Sequence, residues 1–144
     1  MRVAAIDLGS RRIGVAVSDG RGTLASPRCT VVRSGDPEAD RASVVAVVLE
    51  AEARHLIVGL PLSLDGRRRR AAVEAEEEAA ALRALLAPQG VEVETFDERL
   101  TTVTAERSLG AAGRSGRKRR PVIDQAAAAV ILQAWLDRRR PLTP

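Results

Sequence analysis

The first twenty residues, MRVAAIDLGSRRIGVAVSDG (residues 1–20), decide how the rest of the chain is read. Residues 2–7, RVAAID, and 12–19, RIGVAVSD, are two short apolar runs joined by the turn LGSR, the pattern of a β-hairpin. Asp7 closes the first run just before the glycine turn. A carboxylate at the end of a buried-looking strand is costly unless something nearby needs its charge. A turn role for DLG accounts for the glycine, but less readily for the acid.

The remaining elements follow in order. A third strand is expected around CTVVR (29–33), after Pro27. A helix is expected from about Pro37 to Arg54, with DPE as its start signal and Val44, Val45, Val48 and Leu49 at helical spacing. HLIVGLPL (55–62) is a short apolar run of the kind buried on both faces of a sheet. DGRRRR leads into a long helix, about Ala71 to Ala87, ended by PQG, and VEVETFDE (91–98) reads as the next strand. A short helix from about Thr102 to Leu109, a glycine- and arginine-rich loop, GAAGRSGRKRRP (110–121), and a final apolar-faced helix from Val122 complete the chain. A three-stranded meander followed by helix–strand alternation predicts an α/β fold with a mixed sheet flanked by helices, in one domain over 1–144. That is the arrangement of ribonuclease H-like folds, a five-stranded sheet of order 3-2-1-4-5.

Composition narrows the chemistry. Hydrophobic residues make up 45% of the chain, yet Phe96 and Trp135 are its only aromatics besides His55, so Val, Leu, Ile and Ala must build the core. The net charge is +4, and Lys118 is the only lysine among 23 basic residues. An arginine bias of this kind can reflect a GC-rich genome; it also suits bidentate phosphate binding and so is consistent with an anionic partner. One cysteine, Cys29, and one histidine, His55, exclude an intrachain disulfide, a cysteine zinc site and a multi-histidine metal centre. The opening apolar run is too short, and is broken by Asp7, for a signal peptide or membrane span, so a cytoplasmic protein without membrane association is expected. Carboxylates are the main catalytic groups left.

They fall at telling places: Asp7 at the end of the first strand, Asp97 and Glu98 at the end of the last, and Asp124 in the first turn of the final helix. In the 3-2-1-4-5 order, strands one and five flank strand four and lie roughly 10 Å apart. Side chains reaching inward across that gap can share divalent cations, which relieve the mutual repulsion of the acids. Two magnesium ions about 3.5–4 Å apart can activate a water and stabilise the leaving oxygen of a phosphodiester, with no need for histidine or cysteine. Taken singly, Asp124 also suits helix capping, and Asp97 and Glu98 also suit a solvated strand end.

Four blocks in this order, AIDLGSRRIGVAVSD, VGLPLSLDG, FDERLTTVTAE and VIDQAAAAVILQAWLD, resemble the signatures of the YqgF/RuvX family, over nearly the whole chain from Arg2 to Asp137. The resemblance implies a ribonuclease H-like fold related to the junction resolvase RuvC. It also implies a Mg2+- or Mn2+-dependent endonuclease that matures the 5′ end of pre-16S ribosomal RNA, associated with ribosome precursors. Resolution of Holliday junctions, which calls for a two-fold homodimer, is the alternative. Carried over by motif, Asp7 is the central catalytic residue and first metal ligand, the acidic pair of DERLTT the second, and Asp124 the third. Glu98 is favoured over Asp97 for its longer reach, although neighbours point to opposite faces and either can be the inward one. Arg99, Thr101 and Thr102 are candidates for phosphate contact or for support of the acidic pair, with helix capping the alternative for the threonines. Where the family often carries small residues and a phenylalanine-bearing helix, this chain has RRRRAAVEAEEEAAALRALL.

Arg67–Arg70, the group Arg114, Arg117, Lys118, Arg119 and Arg120, and Arg138–Arg140 are three basic clusters. Arg67, Arg68 and the second cluster are the expected substrate contacts, whereas Arg138–Arg140 and Glu74, Glu76, Glu77 and Glu78 read as solvated surface. The shortage of aromatics disfavours base stacking and favours recognition of structured nucleic acid by charge and shape. Two other classes are weighed. An actin-like ATPase needs a second domain closing on the nucleotide, and the phosphate loop GxxxxGK[ST] is not in the sequence. A non-catalytic nucleic-acid-binding assembly module would share the fold without the chemistry.

Overall fold

The computed structural model describes residues 1–63, 65–102 and 120–139, and of 120–124 the backbone alone. The strands are β1 (Val3–Leu8), β2 (Arg12–Ser18), β3 (Ala25–Val32), β4 (His55–Leu60) and β5 (Glu92–Asp97). The helices are α1 (Pro37–Glu50), α2 (Arg70–Leu86) and α3 (Arg120–Arg139), with 3-10 turns at Ala87–Gln89 and Glu98–Leu100. The sheet order is β3-β2-β1-β4-β5, the order expected. β1 runs antiparallel to β2 and parallel to β4, and β4 runs parallel to β5.

Alternation along the central strands divides the core in two. Ala4, Ile6, Leu56 and Val58 face α1 and α2, where they meet Val44, Val48, Ala79, Leu82 and Leu86. Val3, Ala5 and Ile57 face α3 and pack on Ala128, Ile131, Leu132 and Trp135. Trp135, expected in the core, lies tilted at 47° against the His55 ring with centroids 5.0 Å apart, and its Nε1 donates to Glu94 Oε1 at 2.6 Å.

Helix ends are chemically explicit. Asp36 caps α1 by accepting from the backbone N–H of Glu38 and Ala39. α1 stops at Glu50, short of the expected Arg54, because Glu52 takes a left-handed φ of 57°. Ala53 N then donates to Val48 O and Glu52 N to Leu49 O, a Schellman closure that swings the chain into β4. Gly90, with φ 77°, closes α2 and its 3-10 turn in the same way. β3 begins at Ala25, before Pro27 and not after it. An edge strand tolerates a missing N–H, and the register shift between Val15 and Ala16 absorbs Arg28 as a bulge. Glu78, expected as solvated surface, instead accepts from Arg41 Nη2 at 2.7 Å and from its Nε at 3.0 Å, tying α2 to α1.

α3 lies close on β4 where the strand has no side chain. A Cβ at Gly59 would fall 2.8 Å from Ile131 Cδ1 and 3.4 Å from Glu98 Cγ and Cδ. The helix is fixed further at its flank, where Gln133 donates to Thr23 O and accepts from Ala25 N, and Gln125 Nε2 donates to Thr30 Oγ1 at 2.9 Å.

Gly59→Ala is expected to destabilise by about 1–2 kcal/mol through overpacking. Combining it with Ile131→Val, which removes the clashing methyl, should recover part of that loss in a urea-denaturation cycle. A second expectation concerns acid. Asp19 accepts from Thr23 N, Thr23 Oγ1 and Leu24 N in the β2–β3 turn, which lower its pKa to about 2. The sign follows: this stabilisation is complete above the ordinary carboxylate pKa of about 4 and fades as pH falls towards about 2. Asp19→Asn should therefore show a shallower loss of melting temperature between those pH values than the parent protein.

Candidate active site

The site is built on the face of the sheet that α3 covers. Asp7 shares the alternation of Val3 and Ala5, so its side chain belongs to that face, and it is 1% exposed. Its partner across the hairpin is Gly14. On the other side Ile6 pairs with Val58, so the next position on each strand brings Asp7 beside Gly59. One row across the sheet thus reads Thr30, Gly14, Asp7, Gly59, Phe96. Asp7 thus has a glycine as its neighbour on each side.

The acidic pair separates by the same rule. Phe96 belongs to the α3 face and Val93 to the opposite face, so Glu98 continues the α3 face and Asp97 the other. Glu98 opens the 3-10 turn and is 1% exposed, with its Cγ and Cδ close against Gly59. Two carboxylates, one from β1 and one from the end of β5, therefore flank the same glycine of β4. The roughly 10 Å between first and fifth strands is the span a Glu side chain shortens. Asp97 has a different task. It accepts from Arg99 N at 2.9 Å and from Arg99 Nη2 at 2.7 Å, capping the turn that folds Glu98 back. The Arg99 hydrogen bond, above all, holds the Asp97 carboxyl below the usual carboxylate range.

Thr101 closes the turn, its N and Oγ1 both donating to Glu98 O at 3.0 and 2.7 Å. Thr102 is exposed just beyond it. Arg99 reaches the loop that follows β4: a Cβ at Gly66 would lie 3.3 Å from its Nη1. Arg67 and Arg68 are exposed and paired, Arg67 with Asp65 at 3.4 Å and Arg68 with Glu76. Asp124 is the fifth residue of α3, which begins at Arg120, two residues before the expected start, so it lies beyond the first turn and not within it. Its side chain and that of Arg120 lie outside the described residues, as do Arg114, Arg117, Lys118 and Arg119 and the expected short helix after Thr102.

Sequence reasoning missed the two glycines. Gly14 and Gly59 each interrupt an apolar strand, and a glycine inside a strand signals close approach of another group, which was the available clue. It also missed Arg11, Arg12 and Arg33, which gather beside the β1–β2 turn: Arg33 N donates to Arg11 O at 2.9 Å and Arg33 Nε to Gly9 O at 2.7 Å. These three are far apart in the sequence or read as hairpin punctuation, so no run of charge announced them.

Two buried carboxylates supply oxygen ligands of the kind a hard divalent cation takes, while among the described residues no group of three or more such ligands gathers. Among the described residues, no helix is long and apolar enough to cross a membrane.

The chain is 53% identical over 137 residues to a protein of Rhodococcus opacus named "Putative pre-16S rRNA nuclease", covering 93% of this chain and 76% of that one. It is 47% identical to proteins of the same name from Myxococcus xanthus, covering 98% and 91%, and Anaeromyxobacter dehalogenans, covering 98% and 100%. Among solved structures, Thermus thermophilus RuvC in complex with a Holliday junction substrate superposes with a TM-score of 0.60 at 18% identity, covering 96% of this chain and 95% of that one. The yeast mitochondrial Holliday junction resolvase Ydc2 gives 0.53 at 11% identity, covering 93% and 77%. At such identities the likeness is one of fold, and it is the ribonuclease H-like fold expected. The relatives are named as nucleases, the enzyme class expected. Residues 1–138 match the model of RuvX, described as "Holliday junction resolvase", and the chain belongs to that family.

Proposed function

We propose that this protein is a divalent-metal-dependent endonuclease that hydrolyses phosphodiesters in structured RNA, trimming the 5′ end of pre-16S ribosomal RNA in the cytoplasm. The observation that carries the reading is the burial of Asp7 and Glu98 on one face of the sheet, either side of a glycine on which the Glu98 side chain packs. Two acids reaching the same face on either side of Gly59 are suited to share a divalent cation, which compensates their charge. A bound Mg2+ or Mn2+ supplies that compensation, activation of water and stabilisation of the leaving oxygen. Asp7, fixed on the central strand, and Glu98, fixed by the Asp97–Arg99 turn, are the residues that would hold it, with Asp124 as a third ligand from α3. Asp97 serves as a positioning residue, and Arg99, Thr101 and Thr102 line the approach to Glu98.

The relatives' name supports the ribosomal RNA substrate. The family's description supports a second reading, the resolution of four-way DNA junctions by a homodimer.

The test is cleavage of a labelled pre-16S leader RNA, a four-way DNA junction and plain single strands with Mg2+, Mn2+ or EDTA. Asp7→Asn and Glu98→Gln should each lower the rate by more than about 100-fold, or over about 2.7 kcal/mol of transition-state stabilisation, while remaining folded. Asp97→Asn should lower it less, since the amide oxygen it introduces can still accept from Arg99 N. Preference for the junction over the leader would favour the second reading. Binding without cleavage of any substrate would sink both and leave a non-catalytic assembly module.

A further inference from the structure

At the end of the sheet where β1 turns into β2 lies a cavity of about 470 Å³ lined by Ser10, Arg11, Arg12 and Arg33 and, from α1, Pro37 and Asp40. Three of these are arginines and one is an acid. Among the described residues, none of the three guanidiniums has a carboxylate within ion-pairing distance, whereas every arginine of the 67–70 run does. Arg67 and Arg69 lie 3.4 and 3.9 Å from Asp65, Arg70 lies 3.2 Å from Glu74, and Arg68 pairs with Glu76. Arg99 is likewise held by Asp97 at 2.7 Å. The arginines of the 67–70 run thus have acids beside them, whereas Arg11, Arg12 and Arg33 do not among the described residues.

The place is also held in shape. Arg33 donates through its backbone N to Arg11 O and through Nε to Gly9 O, which pins the turn 9–11 to the end of β3. Gly9 permits that turn: a Cβ there would fall 2.6 Å from Arg12 O. Arg12 stands two residues along β2 from Gly14, the partner of Asp7, and so on the same face about 7 Å further along the strand. Asp40, the acid of the cavity, accepts from Ser34 N and Oγ. A second cavity shares Ser10 and Arg33, but Glu74, Glu77 and Glu78 line it, so it is ill suited to an anion.

We propose that Arg11 and Arg12, positioned by Arg33, form the phosphate-binding groove through which the backbone of a nucleic-acid substrate is led to Asp7. The inference rests on the nuclease reading above for its substrate class. Guanidiniums on a pinned turn suit bidentate contact with phosphate oxygens, and such contacts orient a strand without reading its bases.

The test measures binding without metal, so that it stands apart from catalysis. Fluorescence anisotropy of a labelled RNA duplex and of a four-way DNA junction would be followed in EDTA across a range of salt concentrations. The proteins compared would be the parent, Arg11→Gln/Arg12→Gln and Arg67→Gln/Arg68→Gln. The groove variant should bind about tenfold more weakly at low salt, and the slope of log affinity against log salt should fall by about 2, one unit per lost phosphate contact. Arg11→Lys/Arg12→Lys, which keeps the charge, should retain most of that slope, separating lost charge from a disturbed turn. An unchanged slope in the groove variant, or the loss appearing in Arg67→Gln/Arg68→Gln instead, would overturn the proposal. Normal binding by the parent with no cleavage under any metal would overturn the nuclease reading and leave the groove intact.

Discussion

Asp7 is almost wholly removed from water in the central strand of the sheet, and a carboxylate so placed must exchange its hydration for polar or charged neighbours. Much of the surrounding architecture is intelligible as an accommodation of that one group. Glycines at 14 and 59 flank it, and β1 sits between an antiparallel and a parallel neighbour that cover its edges. α3 closes the same face further down, through Ala128, Ile131 and Leu132. The hydrophobic half of the face anchors the helix, and the polar half is left for the acids.

Glu98 reaches this face by a different route. Strand alternation alone would place it there, but the chain leaves β5 at Asp97, so a tight turn must keep it in place. Asp97 and Arg99 provide the turn's cap and Thr101 its closure, with all three bonding within the segment. A side chain whose geometry matters is thus supported by local hydrogen bonds of its immediate neighbours.

The path of the strands was legible in the sequence because period-two alternation and turn residues act locally: RVAAID, RIGVAVSD and VEVETFDE each carry their own evidence. The boundaries that shifted did so for tertiary or backbone reasons. Pro27 falls inside β3 because that strand is an edge, and α1 ends early because Glu52 adopts a conformation more usual for glycine. Of the site, the candidate acids could be named from their places at strand ends. Charge alone did not show its pairing: Arg67–Arg70 lie beside glutamates and Asp65, and Glu78 finds Arg41 from another helix.

By itself, then, the sequence determined the strand order, the family and the inventory of side chains, one histidine and one cysteine beside many carboxylates. Which acid of the Asp97–Glu98 pair turns inward was decided only by tertiary structure, because both are equally acidic and only the packing of α3 on one face of β5 distinguishes them. The same holds for the arginines. Net charge is a sum over the chain, whereas the field at a surface depends on which guanidiniums have carboxylates within reach, and that is set by contacts between residues distant in sequence.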